Sequence, residues 1–205
     1  MSAVRIIIFA KAPQAGLAKT RLIPALGAHG AAQLARRMLA ETLTTALAAK
    51  VGVVELCLTP AAESSAWQGF SWPAGVQLTA QGEGDLGQRM ARAASRALAL
   101  GAPIMLIGTD CPELTPELLR ASAAQLVSHD SLLHATYDGG YALLGLQHDH
   151  ERVFAEINWS TPSVAASTRE RIVELGWRHY EAACLHDVDV GDDLQWLPPS
   201  WLLTH

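Results

Sequence analysis

The chain has 205 residues, of which half are hydrophobic and 17% are charged, and its formal net charge is −5. This composition excludes an intrinsically disordered protein, which would be poorer in apolar residues and richer in charge. The acidic balance argues against a nucleic-acid partner, because neutralising backbone phosphates needs a basic surface. The length fits one α/β domain over residues 1–205 better than two small domains.

The cysteines and the N-terminal segment bear on the compartment. Cys57, Cys111 and Cys184 are odd in number and widely spaced, so neither a disulfide framework nor a zinc knuckle is expected. The apolar run at 4–10 contains an arginine, is too short to cross a bilayer and lacks the layout of a secretory signal. We therefore expect a cytoplasmic protein without a membrane partner.

Short apolar runs alternate with helical periodicities along the chain. The first elements predicted are a strand at 4–9, a helix through 35–46, strands at 53–58 and 76–80, and a helix over 86–98. Next come a strand at 103–107, a helix from 116 and strands at 131–135 and 141–146. The last are a helix from 161 or 163 to about 175, a strand at 178–183 and a short helix at 192–197.

Residue types at the element boundaries support this assignment. Thr115 is placed as the N-cap of the helix from 116, and Gly176 as a left-handed residue after a helix. Strands that alternate with helices predict a largely parallel sheet covered on both faces. In such sheets, ligands bind beyond the carboxyl ends of the strands, so the loops there hold the candidate site.

The loop after the first strand, residues 10–22, contains three cations among small residues. Lys and Arg neutralise phosphate oxygens, and small residues let backbone N–H groups approach them. The spacing matches neither a Walker A loop nor a dinucleotide-binding fingerprint. A solvated basic loop is the alternative. We predict that this loop binds a nucleotide or its phosphates through Lys11, Pro13, Gly16, Lys19 and Arg21.

A second glycine-rich loop, residues 82–89, precedes a predicted helix. Its glycines would permit close contact with a nucleobase or ribose, and Asp85 would accept a hydrogen bond from a hydroxyl. We predict nucleotide binding by Gly84, Asp85 and Arg89. The alternative, which is compatible with it, is that Asp85 caps the helix and the glycines make the turn.

Two aspartates follow buried strands and are candidate metal ligands. Asp110 comes two residues after Gly108, and a carboxylate in this position suits Mg²⁺, which shares its shell with phosphates and water. A turn or cap residue is the alternative. Asp138 opens an Asp-Gly-Gly sequence that is also typical of a type I′ hairpin turn. If both lie at the same sheet edge, they form a divalent-metal site or a metal-and-base pair.

Two later segments add polar groups. Trp159, Ser160 and Thr161 offer an aromatic platform and hydroxyls, or an ordinary helix cap. Asp187 and Asp189 supply further carboxylates, or mark a helix start favoured by its dipole. The second metal ligand is left open between Asp138 and Asp189. The histidines at 148 and 150 resemble a metal pair, but a solvated loop is expected there.

Six motifs occur in order along nearly the whole chain. F-A-K-A-P-x-x-G-x-x-K-T-R-L stands at 9–22, L-G-x-R-M at 86–90, G-T-D-C-P-E-L at 108–114, D-G-G-Y at 138–141, W-S-T at 159–161 and D-V-D at 187–189. Together they resemble a bacterial family of GT-A-like glycosyltransferases in the nucleotide-diphospho-sugar transferase superfamily, with relatives linked to arsenosugar biosynthesis. The resemblance implies a three-layer α/β/α sandwich with a mostly parallel, mixed central sheet.

The resemblance also implies roles for individual residues. Lys19 and Arg21 would lie on the nucleotide phosphates, and Asp110 on Mg²⁺ or Mn²⁺. Asp138 looks like the second carboxylate, as in related molybdenum-cofactor and phospholactate nucleotidyltransferases. Lys19 and Asp138 are the implied catalytic residues. The implied substrate-binding residues are Gly139, Gly140, Tyr141, Trp159, Ser160, Thr161, Asp187 and Asp189.

The sequence departs from the family pattern at three places, which bear on the acceptor. Tyr137 replaces an acidic residue, Ala142 replaces a tyrosine, and Val190 with its following glycine replaces Thr-Pro.

The expected function is metal-dependent transfer of a sugar from a nucleoside diphosphate sugar to a small acceptor. Nucleotidyl transfer with pyrophosphate release would use the same cations and metal and is the first alternative. A non-catalytic nucleotide-binding module is the second. The expected partners are a nucleotide or nucleotide-sugar and a small acceptor, and the sequence leaves monomer and homodimer open.

Overall fold

The computed structural model describes residues 3–201, apart from the side chain at 200. Within them, the strands are β1 Arg5–Lys11, β2 Val54–Thr59, β3 Val76–Ala80, β4 Ile104–Ile107, β5 Ser131–Ala135, β6 Tyr141–Leu146 and β7 His179–Glu181. The α-helices are α1 Ile23–Ala49, α2 Leu86–Leu98, α3 Pro116–Gln125 and α4 Val164–Glu174. Short 3-10 helices lie at Thr20–Leu22, Ser65–Trp67, Glu151–Phe154, Gly191–Trp196 and Pro199–Trp201.

All of these strands form one mixed sheet, in the order β3-β2-β1-β4-β6-β5-β7. β6 runs antiparallel to its neighbours β4 and β5, and every other pair is parallel. The predicted mixed, mostly parallel sheet is therefore confirmed. This topology brings the carboxyl ends of β1, β4, β5 and β7 to the same edge of the sheet, where the candidate loops follow.

Helices cover both faces of the sheet, which completes the three-layer sandwich. Ile6 and Ile8 of β1 lie in one core cluster with Leu43 of α1, whereas Ile7 lies in the opposite cluster with Ala94 of α2. The alternation follows from the period-two geometry of a strand. Since both faces are covered, the central strands are mostly apolar. Each fully buried Ile or Leu contributes about 1.5–3 kcal/mol to stability.

The predicted helix boundaries agree with the structure at most ends. The side chain of Thr115 accepts a hydrogen bond from the N–H of Leu118, and Gly176 has φ +66°, so both boundary predictions are confirmed. Helix α1 begins earlier than the apolar periodicity at 35–46 indicated, and it is kinked at Gly27, whose φ is +70°. None of the described helices is long and apolar enough to span a membrane.

A buried charge network lies at the opposite edge of the sheet from the candidate loops. Glu55 of β2 has a fully buried side chain that accepts hydrogen bonds from Arg5 at 3.1 Å and Thr79 at 2.8 Å. Arg96 of α2 donates to both of its carboxylate oxygens. These partners satisfy a charge that would otherwise be costly to remove from water.

Candidate functional site

A cleft of about 620 Å³ opens at the carboxyl edge of the sheet. Its lining includes the carboxylate residues Asp110, Asp138, Asp187 and Asp189, together with Arg21. Asp110 and Asp138 thus share one edge, as the sequence predicted, because β4 and β5 point the same way. Negative charge converging in a partly enclosed space favours binding of cations.

The cleft also has an apolar wall, formed by Phe9, Met90, Leu106 and Tyr141 with the indole of Trp159. A Cβ at Gly87 would lie 2.3 Å from Nε1 of Trp159, so only glycine lets the indole pack this closely on α2. Burial raises the pKa of the Tyr141 phenol, which therefore stays neutral.

The side chain of Lys19 is only 7% exposed and lies behind the carboxylates. Its Nζ donates a hydrogen bond to the carbonyl oxygen of Val188 at 2.6 Å and lies 2.9 Å from Oδ1 of Asp110. Oδ1 of Asp189 is 3.6 Å away. An ammonium group has three N–H donors, so it can donate to the Val188 carbonyl while its charge pairs with both carboxylates. Lys19 therefore bridges the loop after β1, the loop after β4 and the segment 187–189.

Arg21 is more accessible to a ligand than Lys19. Its side chain is 66% exposed and pairs with Asp189, so Asp189 lies between two basic residues. Oδ2 of Asp193 fixes the same segment by accepting hydrogen bonds from the N–H groups of Asp189 and Val190. An exposed guanidinium at a cleft mouth is suited to bidentate contact with phosphate.

The turn that carries Asp138 is fixed by short contacts. Oδ1 of Asp138 accepts hydrogen bonds from the hydroxyl of Thr136 at 2.6 Å and the N–H of Gly140 at 2.9 Å. Gly139 has φ +92°, and a Cβ there would lie 2.0 Å from the carbonyl oxygen of Pro162. The Asp-Gly-Gly sequence is thus a hairpin turn between β5 and β6, and the turn also aims a carboxylate into the cleft.

The carboxyl group of Asp187 has a pKa well above its usual value. Burial and then the nearby charge of Asp138 raise its pKa from the usual 3.8 to about 6, although Lys19 acts in the opposite direction. Two carboxylates that repel each other are a group to which a cation binds favourably.

Several predicted nucleotide-binding residues make local contacts instead of lining the cleft. Lys11 donates to the carbonyl oxygen of Leu17, and Arg89 donates to that of Gly84. Asp85 caps α2 in a capping box with Gln88, as its structural alternative predicted. Among the described residues, the cleft lining does not include Lys11, Pro13, Gly16, Lys19, Gly84, Asp85, Arg89 or Gly139, whereas it includes Gly140, Tyr141, Trp159, Ser160 and Thr161. Their ligand-binding roles stay predictions.

The two histidines that resembled a metal pair have local partners. Nδ1 of His150 accepts a hydrogen bond from the N–H of Arg152, at the start of a 3-10 helix. Nε2 of His148 lies 3.5 Å from Asp130. These contacts agree with the solvated-loop interpretation.

The oxygen donors of the cleft fit a hard divalent cation. Within residues 3–201, no three His, Cys, Asp or Glu side chains are grouped as a metal centre. Mg²⁺, however, commonly takes one or two carboxylates and completes its shell with phosphate oxygens and water. The repulsion that raises the pKa of Asp187 would be relieved by such an ion, while Lys19 competes with it for Asp110.

An aromatic stack beside the cleft was missed by the sequence analysis. The imidazole of His186 lies between the rings of Tyr137, at 4.3 Å, and Trp196, at 3.6 Å, measured between centroids. Glu113 accepts a hydrogen bond from the N–H of His186 at 2.7 Å and contacts its Nδ1 at 3.1 Å. We call these four residues the His186 stack. The departure from the family pattern at Tyr137 was the available signal, but its partners are distant in sequence.

The solved structures that resemble the chain include the following three. A Desulfovibrio desulfuricans protein assigned as a nucleotide-diphospho-sugar transferase has 29% identity and a TM-score of 0.88, covering 98% of this chain and 88% of that one. Rv0371c of Mycobacterium tuberculosis, in complex with manganese, has 18% identity and a TM-score of 0.54, with coverages of 96% and 98%. CMP-2-keto-3-deoxy-manno-octonic acid synthetase, complexed with CTP, has 13% identity and a TM-score of 0.58, with coverages of 95% and 96%. The last two likenesses establish the fold alone.

The chain shares the fold of the nucleotide-diphospho-sugar transferase type with the first of these relatives, which supports a nucleotide-utilising transferase. The profile of the family described as "Uncharacterized protein conserved in bacteria (DUF2064)" matches residues 42–161, more than half of the chain, so the chain belongs to this family. A comparison with curated proteins gives no match.

Proposed function

We propose that this chain transfers a sugar from a nucleoside diphosphate sugar to a small acceptor, with the help of a divalent metal ion. The observation that carries the proposal is the cleft itself, in which Asp110, Asp138 and Asp187 face an exposed Arg21 at the carboxyl edge of the sheet. The relative from Desulfovibrio desulfuricans, assigned as a nucleotide-diphospho-sugar transferase, supports this donor class.

The donor diphosphate would bind at the basic end of the cleft. Arg21, which is 66% exposed, can exchange its pair with Asp189 for a phosphate at little cost, because an exposed ion pair contributes only about 0–1 kcal/mol. Lys19 adds positive charge close by. Negative charge develops on the diphosphate as it leaves, and both cations stabilise it.

A divalent ion would be held by Asp110 and by one of the two carboxylates Asp138 and Asp187, which leaves the other free to act as a base. When bound, Mg²⁺ or Mn²⁺ would neutralise the diphosphate and act as a Lewis acid for the leaving group. The manganese complex of Rv0371c, a protein of similar fold, supports testing Mn²⁺ as well as Mg²⁺.

Transfer breaks the bond between the anomeric carbon and the diphosphate oxygen and forms a bond from that carbon to the acceptor oxygen. The acceptor hydroxyl loses its proton to a carboxylate, and the nucleoside diphosphate departs with the electron pair. Asp138 is the proposed base. Asp187, with its pKa near 6, is the second candidate, since a base is most effective when its pKa lies near the working pH.

Ligand-induced stabilisation tests the binding part of this proposal. Nucleoside diphosphates, triphosphates and nucleotide sugars are screened by thermal unfolding, with and without Mg²⁺ or Mn²⁺. A ligand at a hundredfold excess over its dissociation constant should stabilise the fold by about 2.7 kcal/mol. We expect a metal-dependent shift that is lost in Asp110→Asn and kept in the matched control Asp149→Asn, whose side chain is exposed in a loop. A wild-type protein that responds to no nucleotide would refute the proposal.

Product analysis then separates sugar transfer from nucleotidyl transfer. Release of nucleoside diphosphate from a nucleotide sugar supports the proposal. Release of pyrophosphate from a triphosphate and a phosphorylated acceptor would establish the alternative, for which the same cations serve equally well. Tight nucleotide binding without turnover of either kind would indicate a binding module.

A further inference from the structure

We infer that His186 is a positioning residue that fixes the three carboxylate-bearing segments of the cleft relative to one another. These segments are 108–114 with Asp110, 136–140 with Asp138, and 185–189 with Asp187 and Asp189. The inference rests on the proposed function for its catalytic meaning, but its structural part can be tested on the free protein.

Each partner of His186 belongs to a different part of the site. Glu113 belongs to the first segment, Tyr137 to the second, and Trp196 to the 3-10 helix Gly191–Trp196. His186 itself immediately precedes Asp187. The side chain of His186 therefore contacts both of the other carboxylate-bearing segments, 108–114 and 136–140. These contacts lie next to Asp187, whose carboxylate lines the cleft.

The backbone hydrogen bonds that tie the segment 185–189 to the other two segments lie on either side of Asp187. The N–H of Tyr137 donates to the carbonyl of Leu185 at 3.2 Å, and the N–H of Val188 donates to the carbonyl of Asp110 at 2.8 Å. Asp187 lies between these anchors. The contacts of His186 fix the backbone there, and they set where the Asp187 carboxylate stands relative to Asp138.

The stack has the composition expected of a rigid junction. Both ring pairs are nearly parallel, with interplanar angles of 23° and 19°, so the imidazole packs face to face against both neighbouring rings. Glu113 uses one oxygen on the backbone N–H of His186 and the other on the ring, so the imidazole can neither rotate nor slide freely. His186 reaches neither the cleft lining nor a reacting atom, which is why its role is positioning.

Hydrogen–deuterium exchange of the free protein tests the junction directly. In His186→Ala, we expect faster amide exchange in all three segments, with β1 unchanged. His186→Phe keeps a ring between Tyr137 and Trp196 and should restore most of the protection. The matched control is His129→Ala, which removes an imidazole that lies 5.2 Å from the ring of Tyr180, outside the stack. Faster exchange confined to 185–189, or spread equally over β1, would overturn the inference.

A binding measurement tests the consequence for the site. ADP, GDP, CDP and UDP are titrated with and without Mn²⁺, and the enhancement by Mn²⁺ is compared between variants. Loss of a residue that orients metal ligands commonly weakens metal binding by about 10–100-fold. We expect His186→Ala to reduce the enhancement at least about fivefold and His186→Phe to restore it, while metal-free affinity changes less than about twofold.

Negative results in the exchange experiment and in the binding experiment lead to different conclusions. An enhancement equal to wild type in His186→Ala would overturn the positioning role even if exchange increases. If the wild-type protein binds no nucleotide, the proposed function fails, and the exchange experiment alone decides whether His186 holds the three segments together.

Discussion

Replacing Lys19 by methionine should both destabilise the free protein and weaken nucleotide binding. The ammonium is 7% exposed and donates to the carbonyl of Val188, so methionine leaves that carbonyl without its donor, at a cost of about 1–3 kcal/mol. The charge-assisted contact with Asp110 is lost as well, but half of that carboxylate is exposed, so its contribution is smaller. The expected loss is therefore about 1–4 kcal/mol.

Urea denaturation measures this loss, and thermal unfolding should show a decrease in Tm of about 2–16 °C, at 2–4 °C per kcal/mol for a domain of this size. Arg21→Met is the matched control, because it removes a cation from the same loop whose side chain is 66% exposed. We expect the control to change stability by about 1 kcal/mol or less while still weakening nucleotide binding. If Lys19→Met leaves the free energy of unfolding unchanged, Lys19 is not the bridge described above.

Three further predictions concern packing and pH. Glu55→Ala should lower the free energy of unfolding by about 3–5 kcal/mol in urea denaturation, because Arg5 then keeps a largely buried charge whose remaining hydrogen-bond partner, Gln77, is neutral; a loss below about 1 kcal/mol would contradict this. Gly139→Ala should abolish the nucleotide-induced thermal shift, since the new Cβ would lie 2.0 Å from the carbonyl oxygen of Pro162 at φ +92°; an unchanged shift would mean that the turn does not position the site. Burial lowers the pKa of His134 below its usual 6.5, so its contribution to stability is complete above that pH and is lost as the pH falls through the lower, folded-state value; Tm measured from pH 7.5 to 5 should fall more in the wild type than in His134→Gln.

The elements of the fold could be predicted from local patterns. Strands β3, β5 and β6 agree with their predicted bounds. For β5 and β6 the reason is that a strand buried on both faces must be a short apolar run between turn residues. The caps at Asp85 and Thr115 were equally visible, since each depends on a side chain and a backbone N–H three residues apart. The early start of α1 was not, because Gly27 interrupts its periodicity.

The candidate site, like the fold, has features that the sequence predicted and others that it did not. Asp110 and Asp138 each follow a predicted strand and were expected near the same sheet edge, and the structure places both in the cleft. The sequence by itself thus determined the fold class and which loops carry polar chemistry. Only the tertiary structure decided how those groups interact: that Lys19 is held by a carbonyl 169 residues away, that burial and then Asp138 raise the pKa of Asp187, and that His186 joins three segments. The physical reason is that caps, turns and strand patterns depend on neighbours in the chain, whereas charge pairing, desolvation and ring stacking depend on groups that come together only when the sheet and its loops are assembled.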